Sequence, residues 1–95
     1  MTRVVLSVIA VEDLDRMIVS HSLTPDTRAR VKRSLSPLER FPRLGRRLEG
    51  SWGPFRCILG PWRWMLIVYV YEEERDEVFI LTIQDARSSS AATSG

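Results

Sequence analysis

The chain has 95 residues, of which 44% are hydrophobic and 27% are charged, and its formal net charge is +2. This length allows one small domain and excludes a two-domain enzyme, a TIM barrel and a complete dinucleotide-binding fold. Its apolar content is too high for a disordered chain. A single cysteine excludes an internal disulfide framework and is typical of a reducing compartment, so we expect a cytoplasmic protein. The apolar run at residues 64–71 is too short to span a membrane.

The first half of the chain predicts one strand followed by two helices. Residues 3–9 are β-branched and apolar, which is typical of a strand. Residues 11–22 carry apolar side chains at helical spacing, namely Val11, Leu14, Met17 and Ile18. Thr24 followed by Pro25 predicts the start of a second helix, with Thr24 as its N-cap, that runs to about residue 40. Pro37 predicts either a kink in its last turn or a separate turn.

The second half predicts a loop and three strands. The loop spans residues 41–50, and the strands span residues 52–59, 62–71 and 78–84, with a charged turn at residues 72–77. The strand at residues 62–71 is the most apolar, so we place it centrally. The order β-α-α-β-β-β predicts an α+β fold with a helical hairpin packed on one face of an antiparallel sheet. We expect one domain at residues 1–87 and a flexible polar tail at residues 88–95.

The small net charge conceals a strongly basic segment. Residues 28–63 carry ten basic and two acidic side chains, a net charge of +8, whereas residues 1–27 carry −2 and residues 64–95 carry −4. Such a segment attracts polyanions by steering and counterion release. The alternative interpretation is a solvent-exposed helix face, in a protein that uses Arg in place of Lys, with no polyanion as partner.

Aromatic and basic residues alternate in the predicted strands. If the strands at residues 52–59 and 62–71 pair across the Gly60–Pro61 turn, Arg56 and Arg63 could flank one exposed patch. Aromatic rings beside arginines suit base stacking and phosphate contact, and Trp62 adjoins Arg63. The loop arginines Arg43, Arg46 and Arg47 suit phosphate contact as well. Core packing of the tryptophans and a solvated loop are the alternatives.

Other chemistry has little support in the sequence. With one histidine, His21, and one cysteine, Cys57, the chain cannot form a metal site of the usual composition. No spacing places His21 in a catalytic triad, so we interpret it as a structural or surface residue. Cys57 alternates into an apolar strand face and predicts a buried thiol. Asp13 and Asp15 are interpreted as solubility features of a helix.

Residues 40–87 resemble the RelE/ParE superfamily of toxins from type II toxin–antitoxin systems. The resemblance rests on the aromatic–Arg pairs Phe55–Arg56 and Trp62–Arg63, on the Gly turn between them, and on the apolar strand that follows. An acidic hairpin and a last strand followed by Arg87 complete the pattern. The order of elements and the chain length fit the same superfamily.

The resemblance implies a toxin that a small cognate antitoxin binds and neutralises in a hetero-oligomer. RelE-like members enter the ribosomal A site and cut mRNA without a metal or other cofactor. By analogy Arg56 and Arg63 would hold the scissile phosphate, and Arg87 would stabilise the leaving oxygen. RNA-binding residues would be Arg43, Arg46, Arg47 and Trp62. We expect an acidic amphipathic helix of the antitoxin to cover the Arg-rich region.

Two departures from the ribonuclease pattern leave alternatives open. Pro54 stands where a second basic residue is common, and the tail after Arg87 lacks the His or Tyr that often serves as general base. Glu49 or a ribosomal group could accept the proton instead. A metal-independent, ribosome-dependent mRNA endonuclease is the preferred hypothesis. The alternatives are a ParE-like inhibitor of DNA gyrase and a catalytically degenerate relative that binds only an antitoxin.

Overall fold

The computed structural model describes residues 1–88 and 91–92 of the chain. Its strands and α-helices follow the order β1 (Arg3–Leu6), α1 (Val8–Ser20), α2 (Thr27–Leu35), β2 (Arg46–Arg47), β3 (Arg56–Leu59), β4 (Met65–Glu72) and β5 (Glu77–Asp85). Short 3₁₀ turns lie at Ser36–Glu39, Gly50–Trp52 and Glu73–Arg75. The predicted α+β fold, with two helices packed on a sheet, is confirmed.

The strands form one mixed sheet in the order β1-β5-β4-β3-β2. Antiparallel pairing holds for β2–β3, β3–β4 and β4–β5, but β1 is parallel to β5. The last strand, β5, lies between β1 and β4, parallel to β1 and antiparallel to β4. The predicted central position of β4 is confirmed. The two-residue strand β2 lies in the segment predicted as a loop. The sequence does not predict it, because two exposed arginines lack the apolar alternation of a strand.

The helix boundaries differ from the predicted ones at their N-termini. Ser7 is the N-cap of α1, and its Oγ accepts a hydrogen bond from the Ala10 amide at 3.0 Å. The prediction of Thr24 as N-cap of α2 is wrong, because Pro25 and Asp26 form a turn and the helix begins at Thr27. Pro37 lies in the 3₁₀ turn Ser36–Glu39, which follows α2 directly and agrees with the predicted separate turn.

Apolar side chains fill both faces of the sheet. The larger cluster joins the helices to β4 and β5 and includes Leu14, Val31 and Ile67. The smaller cluster, on the opposite face, includes Cys57 and Leu66, so the predicted burial of the Cys57 thiol is confirmed. The sheet face opposite the helices, which the sequence predicts to be exposed, is therefore partly covered by this smaller cluster.

The predicted flexible tail at residues 88–95 lies partly outside the described residues, which omit positions 89–90 and 93–95. Ala91 is buried, and the Ala92 amide donates a hydrogen bond to Gln84 Oε1 at 2.8 Å. The flexibility of the tail stays a prediction. In the described part of the chain, no helix combines the length and apolarity needed to cross a membrane.

Candidate nucleic-acid interface

The structure places Arg56 and Arg63 at opposite ends of the β3–β4 hairpin. Arg56 begins β3 and pairs with Tyr69, whereas Arg63 lies in the turn before Met65, where β4 begins. The four residue-to-residue steps from Met65 to Tyr69 span about 13 Å of strand. The expectation that both arginines flank one patch is therefore wrong, because Arg56 pairs with Tyr69 along the strands whereas Arg63 lies in the turn that joins them.

At the turn end, aromatic rings and arginines form a stacked group, here called the tryptophan cluster: His21, Arg30, Trp62, Trp64 and Arg87. The Trp62 and Trp64 ring centroids lie 5.9 Å apart with their planes inclined by 14°, and His21 stacks on Trp64 at 4.8 Å. The Arg30 guanidinium lies 5.8 Å from the Trp62 centroid, and that of Arg87 lies 5.0 Å from the Trp64 centroid. Each separation is within cation–π range.

Both tryptophans are half-buried and pack against the helix-side core, so the core-packing alternative holds for part of each ring. Arg63 lies between them in sequence and is exposed. Arg30 and Arg33 of α2 line a shallow depression of about 400 Å³ with Pro61 of the same turn. The turn end thus combines exposed positive charge with partly accessible aromatic surface, a combination that contacts phosphates and bases.

Asp85 links two members of the tryptophan cluster. Arg87 donates to it from Nε at 2.9 Å, from Nη2 at 2.8 Å and from its backbone amide at 2.9 Å. His21 Nε2 lies 3.1 Å from Asp85 Oδ2. The hydrogen bonds from Arg87 hold the pKa of the Asp85 carboxyl well below its usual range, and Asp85 in turn raises the pKa of Arg87.

A second basic group, here called the Arg56 cluster, consists of Arg43, Arg47 and Arg56. It lies at the other end of β3, and its members line a cavity of about 160 Å³ with Pro54, Tyr71 and Glu73. Arg43 forms an ion pair with Glu73 and lies 5.0 Å from the Tyr71 centroid. Arg56 Nη1 donates to the carbonyl oxygens of Gly45 at 2.9 Å and Arg43 at 3.3 Å. Part of the Arg56 charge is therefore used to hold the preceding loop.

Arg46 is separated from the other loop arginines. It pairs with Cys57 across β2 and β3, whereas Arg47 pairs with Arg56, and neighbouring residues of a strand face opposite sides. Burial raises the pKa of the Cys57 thiol, and the nearby Arg46 guanidinium opposes that rise. Glu49, the predicted alternative base, adjoins β2 and lies at the sheet end opposite to Arg87.

The structure therefore brings Trp62, Arg63 and Arg87 to one end of the sheet and Arg43, Arg47 and Arg56 to the other. Their roles in catalysis and RNA binding stay predictions. The contact between His21 and Asp85 was missed from the sequence, since the two residues are 64 positions apart. The contact forms because the fold places the end of β5 beside the C-terminal end of α1.

Solved toxin structures share this fold. The RelBE2 toxin–antitoxin complex of Mycobacterium tuberculosis matches with 23% identity and a TM-score of 0.65, covering 88% of this chain and 96% of that chain. The E. coli RelBE complex matches with 18% identity and a TM-score of 0.69, covering 93% and 100%. The chromosomal ParDE system of P. aeruginosa matches with 14% identity and a TM-score of 0.70, covering 92% and 98%. Neither a protein-family model nor a curated protein sequence matches the chain.

Proposed function

We propose, from the premise that the chain has the RelE/ParE toxin fold, that it is the toxin of a type II toxin–antitoxin module. Its activity would be RelE-like: cleavage of mRNA on the ribosome, neutralised by a cognate antitoxin. The similar M. tuberculosis and E. coli structures are toxin–antitoxin complexes, which supports an antitoxin as partner.

The tryptophan cluster is the observation that carries the ribonuclease proposal. Cleavage of RNA requires positive charge at the scissile phosphate and a surface that holds an unstacked base. Trp62, Arg63 and Arg87 occupy one end of the sheet, where a phosphate and a base can be bound together. In this proposal Arg63 and Arg87 contact the scissile phosphate, and Trp62 stacks on an adjacent base.

The Arg56 cluster takes a different role in this proposal. The separation of Arg56 from Arg63 means that both cannot hold the same phosphate. Arg43, Arg47 and Arg56 instead contact ribosomal RNA. Because these arginines lie at the end of the sheet away from Arg63, their contacts contribute affinity and not phosphate activation.

The first prediction tests Arg63 in a purified translation system with end-labelled mRNA. We expect codon-positioned cuts from the wild-type protein and at least a 100-fold loss of rate in Arg63→Ala, the scale of a lost transition-state contact. Arg75→Ala is the matched control, because Arg75 is also exposed and cationic but lies in the acidic hairpin. Equal loss in both variants would contradict a specific role of Arg63.

A ParE-like gyrase inhibitor is the second candidate. The P. aeruginosa ParDE structure is as similar in fold as the E. coli RelBE structure, with TM-scores of 0.70 and 0.69. The short helices, 13 residues in α1 and 9 in α2, weigh against it, because gyrase-directed members tend to have longer helices. Inhibition of supercoiling by purified gyrase, without mRNA cleavage, would favour this candidate. Absence of both activities, with no arrest of growth on expression, would leave the degenerate relative.

A further inference from the structure

We infer that His21 is the general base of RNA cleavage, and that its Nδ1 accepts the proton of the attacking 2′-hydroxyl. This inference rests on the proposed function. It supplies a proton acceptor that residues 88–95 do not, because none of them is His or Tyr.

The hydrogen bonds of His21 determine which ring nitrogen is basic. Nε2 lies 3.1 Å from Asp85 Oδ2, and Nδ1 lies 2.8 Å from Ser20 Oγ. An ionised carboxylate can only accept, so the proton of the neutral ring resides on Nε2 and points to Asp85. Nδ1 is then the acceptor, and Ser20 donates its hydroxyl proton to it. An RNA hydroxyl that replaces Ser20 meets the same lone pair.

The position of the ring beside the phosphate-binding arginines is the second part of the argument. His21 and Arg87 both bind the Asp85 carboxylate, and both contact the Trp64 ring. The stack on Trp64 fixes the plane of the imidazole, and its side chain keeps 28% of its surface exposed. The inference requires a phosphate held by Arg87 to place the neighbouring 2′-hydroxyl at Nδ1, on a ring whose orientation is already set.

Other candidate bases among the described residues are less suitable. The Tyr69 hydroxyl is buried and bonded to the loop at Gly45 and Pro42, and the Tyr71 hydroxyl is bonded to Asp76. Both tyrosines and Glu49 lie toward the end of the sheet opposite to Arg87. His21 is also the one histidine in the chain.

The charged groups near His21, among the described residues, come from the end of β5 and from α1. Asp85 and Arg87 approach it from the end of β5, and Ser20 adjoins it on α1. Asp13 and Arg16 of α1 line the adjoining depression, of about 270 Å³, together with Asp85. Trp64, which covers the ring, does not ionise.

The step balances without a metal or a redox partner. The 2′-oxygen forms a bond to phosphorus while its proton moves to His21 Nδ1, and Asp85 stabilises the imidazolium that results. The bond between phosphorus and the 5′-oxygen breaks, and the leaving 5′-oxygen takes a proton from water. The products are a 2′,3′-cyclic phosphate and a 5′-hydroxyl, after which His21 returns its proton to solvent.

The test measures single-turnover cleavage of mRNA on programmed ribosomes by the wild-type protein, His21→Gln and His21→Ala. We expect at least a 100-fold loss of rate in both variants, the usual scale of general base catalysis. Free imidazole should restore cleavage by His21→Ala and should not restore Arg63→Ala. Val19→Ala is the control, since its side chain is 79% exposed on the same helical turn, and it should cleave at the wild-type rate.

The outcomes separate the inference from the proposed function. A wild-type protein that does not cleave mRNA overturns both. Wild-type cleavage with an unchanged rate in His21→Gln overturns only the role of His21. If His21→Ala is slow but imidazole does not rescue it, although its thermal unfolding matches wild type, His21 is not the base. A rate that rises with pH in wild type and is flat in His21→Gln supports the inference.

Discussion

At the scale of single residues, Tyr69 shows how a core residue positions the basic loop. Its side chain is fully buried, yet its hydroxyl accepts a hydrogen bond from the Gly45 amide and donates one to the Pro42 carbonyl, both at 2.8 Å. Burial raises the pKa of this hydroxyl, so it stays protonated and able to donate. A Cβ atom at Gly45 would lie 2.7 Å from the Tyr69 ring, so this close approach requires glycine.

The second prediction concerns the Tyr69 hydroxyl. Tyr69→Phe leaves the buried Gly45 amide without its partner, so the free energy of unfolding should fall by about 1–3 kcal/mol. Denaturant unfolding measures the change. Tyr71→Phe is the control, because its hydroxyl bonds to exposed Asp76, and it should leave the free energy of unfolding close to the wild-type value. Equal effects of the two substitutions would contradict the anchoring role.

At the scale of elements, α1 is attached to an irregular stretch of β5. Val68 pairs with Thr82 but Tyr69 pairs with Ile80, so Leu81 is an additional residue that forms a β-bulge. The Leu81 carbonyl accepts from Ser7 Oγ at 2.7 Å, and the Asp13 carboxylate accepts from the Ile83 amide at 3.1 Å. Side chains of the helix and its cap thus satisfy backbone groups around the bulge.

The third prediction concerns this attachment. Asp13→Ala removes the acceptor of both the Ile83 amide and the Thr82 hydroxyl, so it should lower the free energy of unfolding by about 1.5–3 kcal/mol. Asp15→Ala is the matched control from the same helix. Its exposed ion pair with Arg28 contributes about 0.5 kcal/mol or less. Thermal or denaturant unfolding that shows no difference between the variants would exclude the proposed attachment.

At the scale of the whole molecule, the fold divides the basic segment of residues 28–63 into separate surfaces. The Arg56 cluster lies beside the acidic hairpin, where Glu73 pairs with Arg43. The turn end carries four guanidinium groups that face the proposed RNA site: Arg30, Arg33, Arg63 and Arg87. The charge available to one RNA strand is therefore much smaller than the composition of the segment indicates.

The fourth prediction follows from this division. Binding of a labelled single-stranded RNA should weaken with salt, with a slope of log affinity against log salt concentration of about −3, since each neutralised phosphate contributes about −0.7. Contact with all ten basic residues would give a slope of about −7 by the same relation. Fluorescence anisotropy across a salt series measures the slope. A value near the larger figure would show that the Arg56 cluster and the turn end bind one strand together.

The two aspartates of α1 show the limit of what the local sequence pattern predicts. The sequence predicts the same role for Asp13 and Asp15, as solubility features of a helix, and Asp15 is exposed and paired with Arg28. The prediction is wrong for Asp13, which is 9% exposed and bonded to β5. Both residues have the same local signal, so only the packing of α1 on the sheet distinguishes them.

The types and order of the main elements, the buried Cys57 and the central place of β4 follow from the sequence, because apolar periodicity and turn residues act over a few neighbouring positions. Only the tertiary structure decides that β1 is parallel to β5, that Arg56 and Arg63 lie apart, and that His21 meets Asp85. These relations depend on strand register and on contacts between residues distant in the chain. The local spacing of side chains along the sequence determines neither the strand register nor these long-range contacts.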